Sequence, residues 1–595
     1  MTVRKSNGKT FDSNLLLKIF EYVRPYSNTF FWSIVFTITI AIVAPIRPWL
    51  IQYTVDNYII KFDAEGLLWM TVLTVVLVIL QSILQYFYTF STNRLGQSVI
   101  QDLRRDVFQR LINFRLKFFD KTPIGQLVTR TVSDMETIAD IFSEGVIVIL
   151  GDILQLVTIV GVMLYTDWKL TFIVLIPMPL LVLSTYIFKE AIKSAFQSVR
   201  TQVGLLNTFL QEHITGISII QYFAREEQEF EKFKFINAEH RDAHVRSNWY
   251  YSIFFPVVEI ISALSIGLLV WYGSKQILAH QISAGVVVSF IMYINLLFRP
   301  IRELADKFNT LQMGMVGADR VIQLLESKEE TPDFGSIQPK GKLAGTIAFK
   351  DVYFSYNEGN PILKNVSFQI NAGETLAIVG ATGAGKSSII NIINRFYEYD
   401  KGLVSIDGID IREYDLNYLR SQIAVVLQDV FLFSGSIADN IRLQDNRITL
   451  EQVVAATQEI GAHEFIKKLP KGYDYQVMER GATLSAGQAQ LISFARALVH
   501  HPSILILDEA TASVDTETEQ LIQQGIEKLM QNRTCIVIAH RLSTIQKAKQ
   551  IIVLDQGEIK EIGNHQELLQ KQGYYKRLYD LQFSSSGIVL NEQGI

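Results

Sequence analysis

Apolar residues follow two different patterns along this chain. Up to about residue 300 they gather in long runs, and beyond residue 345 they fall in short runs separated by polar turns. Six long segments stand out: Phe30–Tyr53, Leu67–Phe90, Val146–Tyr165, Leu170–Phe188, Ile253–Trp271 and Val286–Leu297. As helices, most would cross a hydrocarbon core of about 30 Å. The last is short and is expected to run past Arg299 and Pro300 into a cytoplasmic continuation. Ahead of them, Leu15, Leu16, Ile19, Phe20 and Val23 recur at helical spacing around Lys18 and Arg24. That spacing predicts an amphipathic helix over 13–26 lying in a membrane interface; an ordinary surface helix is the plainer alternative.

The polar connectors orient the spans. Arg94, Arg104, Arg105, Arg110, Arg115, Lys117, Lys121 and Arg130 lie between the second and third spans. Lys189, Lys193, Arg200, Arg225, Lys232, Lys234, Arg241 and Arg246 lie between the fourth and fifth. The remaining loops are short and carry only Lys61, Lys169 and Lys275. Cytoplasmic loops accumulate Lys and Arg, so both long connectors and both termini are expected in the cytoplasm, the chain lying in the cell (inner) membrane. The connectors are helical in pattern and far longer than a turn requires, which predicts that the spanning helices continue well beyond the bilayer.

Residues 1–326 are thus expected to form an all-α membrane domain of six helices. Glu329, Glu330, Pro332, Asp333, Gly335, Pro339 and Gly341 interrupt every periodicity and mark a linker over 327–344. Alternation resumes at Thr346–Phe354, and strand-like and helix-like runs then alternate to about Gln582. That order predicts an α/β domain over 345–582 with a patternless tail over 583–595. No internal repeat is visible. Across 595 residues, 49% are hydrophobic and the formal charge is only −4, with basic residues beside the apolar spans. That distribution speaks for membrane topology and against nucleic acid as a partner. The lone Cys535 sits in the apolar run Thr534–Ile538 and reads as core packing. The first apolar run is too long for a secretory signal and lacks a small-residue cleavage site.

The stretch Gly380-Ala381-Thr382-Gly383-Ala384-Gly385-Lys386-Ser387 carries chemistry. It follows the apolar run Leu376–Val379 and precedes a helix-like run from Ser388. Glycines let a backbone wrap closely around phosphate oxygens, and the following helix N-terminus adds partial positive charge. In a phosphate-binding loop Lys386 reaches the β- and γ-phosphates and the Ser387 hydroxyl binds Mg²⁺. The second element is Ile504-Leu-Ile-Leu507-Asp508-Glu509, a buried strand ending in two carboxylates. Asp508 would hold Mg²⁺ directly or through water, and Glu509 would orient or deprotonate the attacking water. A fold with six membrane helices followed by an α/β P-loop ATPase domain is the expectation, with ATP and Mg²⁺ as cofactors.

Leu484-Ser485-Ala486-Gly487-Gln488, before the helix-like Ala489–Val499, resembles the signature sequence of the ATP-binding cassette family. Nearly the whole chain resembles that family's bacterial exporter half-transporters. The resemblance implies that Ser485, Ala486, Gly487 and Gln488 of one subunit close over ATP held by the loop of another. It also implies a smaller helical subdomain between Gln428 and the signature. Tyr356 resembles the aromatic that stacks on adenine, and Gln428 the glutamine that meets Mg²⁺ and the attacking water. Asp515 resembles the loop that communicates between paired sites, and His540 the histidine that contacts the γ-phosphate. Two departures stand out: Ala486 replaces the usual glycine, and Gln476 and Met478 depart from the usual residues beside Glu479-Arg480-Gly481. Alanine at 486 weakens phosphate binding if that position needs φ > 0 or very close approach, and is nearly silent otherwise.

Two turns resemble the family's coupling helices, near Phe118–Gly125 and Gly216–Phe223, each with apolar anchors for an ATP domain. Arg47, Gln81, Gln85, Asp152, Gln155 and Glu259 lie within or near the spans. Intramembrane charge usually faces a cavity or a partner, so the readings open for these residues are contact with a cationic or amphipathic substrate, helix–helix hydrogen bonding, or a place at the membrane interface. The function implied is an ATP-driven exporter of an amphipathic, drug-like or lipid-like substrate, working with a second copy of itself or a homologous half-transporter. An ATP-gated channel or regulator with little hydrolysis is the alternative, and retention of Glu509, His540 and Gln428 argues against it. An importer is disfavoured because importers usually carry the two domains on separate chains.

Overall fold

The computed structural model describes residues 13–583, apart from 333–334, 358, 479–480, 482, 509–515 and 539–541. The chain divides into two compact units. The first comprises 1–112 and 123–328, and the second comprises 113–122 and 329–595.

The first unit is helical among its described residues. In chain order it holds α1 (Ser13–Glu21), α2 (Ser27–Val43), α3 (Ile46–Thr54) and α4 (Ala64–Ile112). After α5 (Leu116–Lys121), which belongs to the second unit, come α6 (Ile124–Thr131), α7 (Ser133–Asp140) and α8 (Val146–Thr166). Then follow α9 (Trp168–Leu175), α10 (Met178–Thr215), α11 (Ile217–Tyr222), α12 (Glu226–Leu278) and α13 (Ala284–Leu325). Six stretches of described residues are long and apolar enough to cross a membrane, and each contains one of the apolar segments, the first as α2–α3 with its flanking turns and the last within Ala284–Ile301. At 1.5 Å per residue α12 is about 80 Å long. A bilayer core takes up less than half of that, so these helices do continue into the polar connectors.

The first span is not one helix. Pro45 has no N–H to donate, and α2 stops at Val43 just before it. Two side chains from other helices serve carbonyls at the break. Gln81 donates to the Val43 carbonyl at 3.1 Å, and the Tyr293 hydroxyl to the Pro45 carbonyl at 3.0 Å. In α1, Ile19 is buried and Phe20 packs edge-on against Phe142, and Val23 just beyond the helix is buried too, so this apolar stripe is covered by other helices while Leu17 stays exposed.

The second unit is built on two larger sheets and a small ribbon. The antiparallel sheet comprises β1 (Ile347–Ser355), β2 (Pro361–Ile370), β4 (Lys401–Ile406) and β5 (Ile409–Asp410), in the order β2-β1-β4-β5. The six-stranded sheet comprises β3 (Thr375–Val379), β6 (Ile423–Val426), β9 (Ile504–Asp508), β10 (Thr534–Ile538), β11 (Gln550–Asp555) and β12 (Glu558–Gly563). Its order is β12-β11-β3-β10-β9-β6, all parallel except β12. The ribbon pairs β7 (Gly435–Ser436) with β8 (Gln476–Val477). Period-2 alternation divides the central strands between two cores. Leu376, Ile378, Ile504, Ile506 and Ile536 pack toward the antiparallel sheet. Ala377, Val379, Leu505, Leu507, Cys535 and Val537 face the other core, shared with helices. After α5, the next helices of this unit are two short ones, α14 (Lys386–Ile393) and α15 (Leu416–Ser421). Those of the shared core include α16 (Ile437–Arg442), α17 (Leu450–Glu459), α18 (His463–Lys468) and α19 (Ala486–Val499), lying between β6 and β9 in the chain. The segment read as a linker is tied to this unit. The Ile337 N–H bonds the Glu413 carbonyl at 3.0 Å, and Arg395 donates to the Pro332 carbonyl at 2.7 Å.

Candidate functional site

Parallel strands leave their carboxyl ends at one edge, the usual place for ligands in open α/β sheets. From that edge β3 runs into the loop 380–385, and α14 begins at Lys386, two residues before the helix-like run in the sequence. The loop has little room for side chains at two glycines. A Cβ on Gly380 would lie 2.1 Å from the Leu554 carbonyl oxygen. Gly385 holds φ +105° as the residue before α14, and a Cβ there would approach Leu363 Cδ2 to 2.8 Å. The Lys386 ammonium curls over the loop, donating to the Gly380 and Ala381 carbonyls at 2.8 and 2.9 Å. Burial lowers its pKa and the Asp508 charge opposes that shift, so β9 delivers Asp508 within electrostatic reach of Lys386.

Ser387 is exposed at the start of α14, as are Ala381, Thr382 and Gly383, whereas Ala384, Gly385 and Ser388 are buried. The Ser388 hydroxyl is turned toward Tyr356, 3.1 Å from its phenol oxygen. Asn391, one turn on in α14, donates to that same oxygen at 3.0 Å. Tyr356 is therefore pinned to the helix that opens with Lys386, and its ring packs edge-on against Phe354 and Tyr397, both at 4.7 Å. Gln428 is exposed two residues past β6, at the same edge of the sheet as Asp508. Ser387, Gln428 and Asp508 supply a hydroxyl, an amide and a carboxylate. Mg²⁺ prefers such an all-oxygen set, with waters and phosphate oxygens completing its shell. Glu509, Asp515 and His540 lie outside the described residues.

Ser485 caps α19 in a reciprocal capping box with Gln488, its hydroxyl accepting the Gln488 N–H at 3.2 Å. Ser485 and Ala486 are exposed and Gly487 is buried. Ala486 is the first helical residue, and it is not among the residues with positive φ. The backbone here is thus one that alanine adopts freely. Glu479 and Arg480 also lie outside the described residues.

The two turns between spans differ. In α5, Phe118 is buried, and the Tyr397 hydroxyl donates to the Asp120 carboxylate. Arg115 pairs with Glu329, and Phe114 bridges Glu330. The first turn is therefore part of the second unit. In α11 and just after it, Ile219, Tyr222 and Phe223 are 61%, 84% and 72% exposed, which leaves an apolar tip on the surface. His213 and Glu229, 2.8 Å apart, join the two helices that carry it.

Of the polar residues in the spans, Asp152 pairs with Lys307 at 2.6 Å and Gln81 serves a helix end. Glu259 is exposed, Arg47 and Gln155 are half-buried, and Gln85 bonds Thr89 on its own helix. Tyr397, Asn391 and Lys307 carry no motif that would have drawn attention to them in the sequence, whereas Asp120 lies within the Phe118–Gly125 turn that resembles a coupling helix.

Residues 30–301 match the family model described as ABC transporter transmembrane region, and 363–512 the one described as ABC transporter. A Bacillus subtilis (strain 168) protein named as uncharacterized ABC transporter ATP-binding protein YknV is 38% identical, covering 97% of this chain and 96% of its own. Another from the same strain, named as probable multidrug resistance ABC transporter ATP-binding/permease protein YheH, is 40% identical over 84% of this chain and 73% of its own. The ATP-dependent lipid A-core flippase of Syntrophus aciditrophicus (strain SB) is 32% identical over 98% of both. The chain belongs to the ABC transporter family. It is a half-transporter of the exporter kind, a multi-pass membrane protein whose α/β domain hydrolyses ATP coupled to transport.

Proposed function

We propose that two copies of this ABC transporter chain form an exporter that moves an amphipathic or lipid-like molecule out of the cytoplasm or the inner leaflet. The observation that carries the pairing is the exposed start of α19. A 14-residue helix presents Ser485 and Ala486 at its N-terminus, a natural phosphate-facing surface, and it belongs over the loop of another subunit. The bare tip of α11 supports the same reading, since it would dock on the second copy's ATP domain. Exposed Phe431, Phe433 and Met478 offer that domain an apolar surface of matching character.

Within each composite site Tyr356 stacks on adenine and Lys386 binds the β- and γ-phosphates. Ser387, Gln428 and Asp508 hold Mg²⁺, which neutralises phosphate charge when bound. Glu509 positions and deprotonates the attacking water, and His540 contacts the γ-phosphate. Asp515 links the paired sites. The termini and the long connectors lie on the cytoplasmic side of the cell membrane, where Lys and Arg gather. The lipid-like substrate class is supported by the full-length similarity to lipid A-core flippases.

The chain alone, reconstituted in lipid vesicles, is expected to hydrolyse ATP and to move a fluorescent lipid or cationic amphiphile between leaflets. Glu509→Gln is expected to keep ATP binding and lose turnover. Parent-like steady ATPase in that variant would sink the assignment of Glu509. An inactive chain that gains activity only with a homologous partner would overturn the homodimer.

A further inference from the structure

The helix that opens with Lys386 ends at Ile393, and the chain turns sharply through the Asn394-Arg395-Phe396-Tyr397 that follows. Arg395 has φ +49° and is 2% exposed, its guanidinium donating to the Tyr414 and Pro332 carbonyls. That anchoring fixes where Tyr397 points. Its ring lies edge-on to Tyr356, with centroids 4.7 Å apart and planes at 88°. Its hydroxyl donates to Asp120 on α5. Tyr397 is itself buried, so little solvent separates either contact. Two side chains therefore connect the aromatic offered to adenine with a short helix that leads directly, through Ile112 and Pro123, into membrane-domain segments.

We infer that Tyr397 is a positioning residue that transmits adenine occupancy at Tyr356 to α5, and so to the membrane helices. This rests on the reading that Tyr356 stacks on adenine. A base held against Tyr356 limits the tilt of that ring, whose hydroxyl is already tied to Ser388 and Asn391. Tyr397 fills the space on its edge and cannot move independently, because buried side chains are close-packed. The hydrogen bond to a carboxylate then fixes α5 more firmly than apolar contact alone. The device reads the base, whereas Lys386 and Ser387 read phosphates. It predicts that coupling, but not hydrolysis itself, depends on which base the nucleotide carries.

The test uses the full chain in lipid nanodiscs and vesicles, with ATP and UTP compared at saturation. The first readout is hydrogen exchange of amides 116–121 in the Glu509→Gln background, where nucleotide binds without turnover. ATP is expected to slow exchange more than UTP, and Tyr397→Phe, which keeps the ring and loses the hydroxyl, is expected to erase that difference. The second readout is transport per ATP hydrolysed. It should fall by about tenfold in Tyr397→Phe, the worth of one hydrogen bond to a charged group, while KM for ATP and basal ATPase stay near the parent. Asp120→Ala should repeat the defect, and Asp120→Asn, whose amide oxygen still accepts, should largely restore coupling. A purely structural role would lower basal ATPase and coupling together and would show no base dependence, which overturns the proposal. So would parent-like coupling in both Tyr397→Phe and Asp120→Ala. Tyr356→Leu separates the premise: an unchanged KM for ATP removes the adenine reading, whereas a raised KM with intact coupling in Tyr397→Phe removes only the relay.

Discussion

Lys307→Met should destabilise the membrane domain more than Asp152→Asn does, although both break the same ion pair. Lys307 on α13 lies 2.6 Å from Asp152 on α8 and 2.9 Å from Glu303, and Glu303 has a second cation in Arg299 at 3.2 Å. The Asp152 and Lys307 side chains are each 16% exposed, so both charges are largely out of water. Removing the ammonium leaves the Asp152 carboxylate in poor solvent without its partner. Breaking a buried pair this way costs about 3–5 kcal/mol, and the residual exposure argues for the lower end, about 3 kcal/mol. Asp152→Asn is milder, because the amide oxygen still accepts from Lys307 and Lys307 keeps Glu303. Its cost is about 1 kcal/mol, the difference between a charged and a neutral hydrogen bond. Replacing both groups with apolar side chains, Asp152→Leu with Lys307→Met, should recover most of the loss, since the desolvation penalty of both ions disappears.

Thermal unfolding of the detergent-solubilised chain measures the ranking, at about 2 °C per kcal/mol for a unit of this size. The single variants should fall by about 6 °C and about 2 °C, with the double variant between them and the parent. Additive effects in the double-mutant cycle, closed with Asp152→Leu alone, would refute the pairing. The same variants bear on the substrate. If the pair joins helices and does not contact cargo, the concentration of a cationic amphiphile giving half-maximal ATPase stimulation should stay unchanged in Asp152→Asn. A large rise in that concentration at unchanged stability would return Asp152 to the substrate pathway.

Gly380→Ala should abolish nucleotide binding, because its Cβ would meet the Leu554 carbonyl at 2.1 Å and a backbone oxygen cannot turn aside. Parent-like affinity for a fluorescent ATP analogue would refute this. Ala486→Gly should leave ATPase close to the parent, since α19 starts at Ala486 without a positive φ and the change costs at most about 1 kcal/mol of helix propensity. A large gain in turnover would show that the methyl group obstructs the site. Burial pushes the Cys535 thiol up to about 12, so at pH 8 it stays protonated and should react with maleimide only after unfolding. Rapid labelling of the folded chain would contradict that.

Local physics explains which parts of this protein its sequence reveals. Spans are written as unbroken apolar runs because every lipid-facing position must be apolar. The phosphate loop is legible because backbone approach at Gly380 and left-handed φ at Gly385 restrict the residue type at fixed offsets. Asp508 is legible because a buried parallel strand ends abruptly in charge. Tertiary pairings leave no such trace. Asp152 stands out as a charge within an apolar run, but Lys307 comes 155 residues later in an ordinary polar stretch, so the sequence poses the question without the answer. Gln81 looks like a substrate contact until the helix break before Pro45 turns its target into the Val43 carbonyl. Tyr397 is harder still, because a tyrosine in a turn after a helix reads as ordinary packing. Only the fold places its ring against Tyr356 and its hydroxyl against Asp120, 277 residues earlier in the chain. The contacts proposed to couple hydrolysis to transport are of this second kind. They join residues that no periodicity constrains, so the ATP-binding loop can be read in the sequence while the path leading away from it has to be found in the structure.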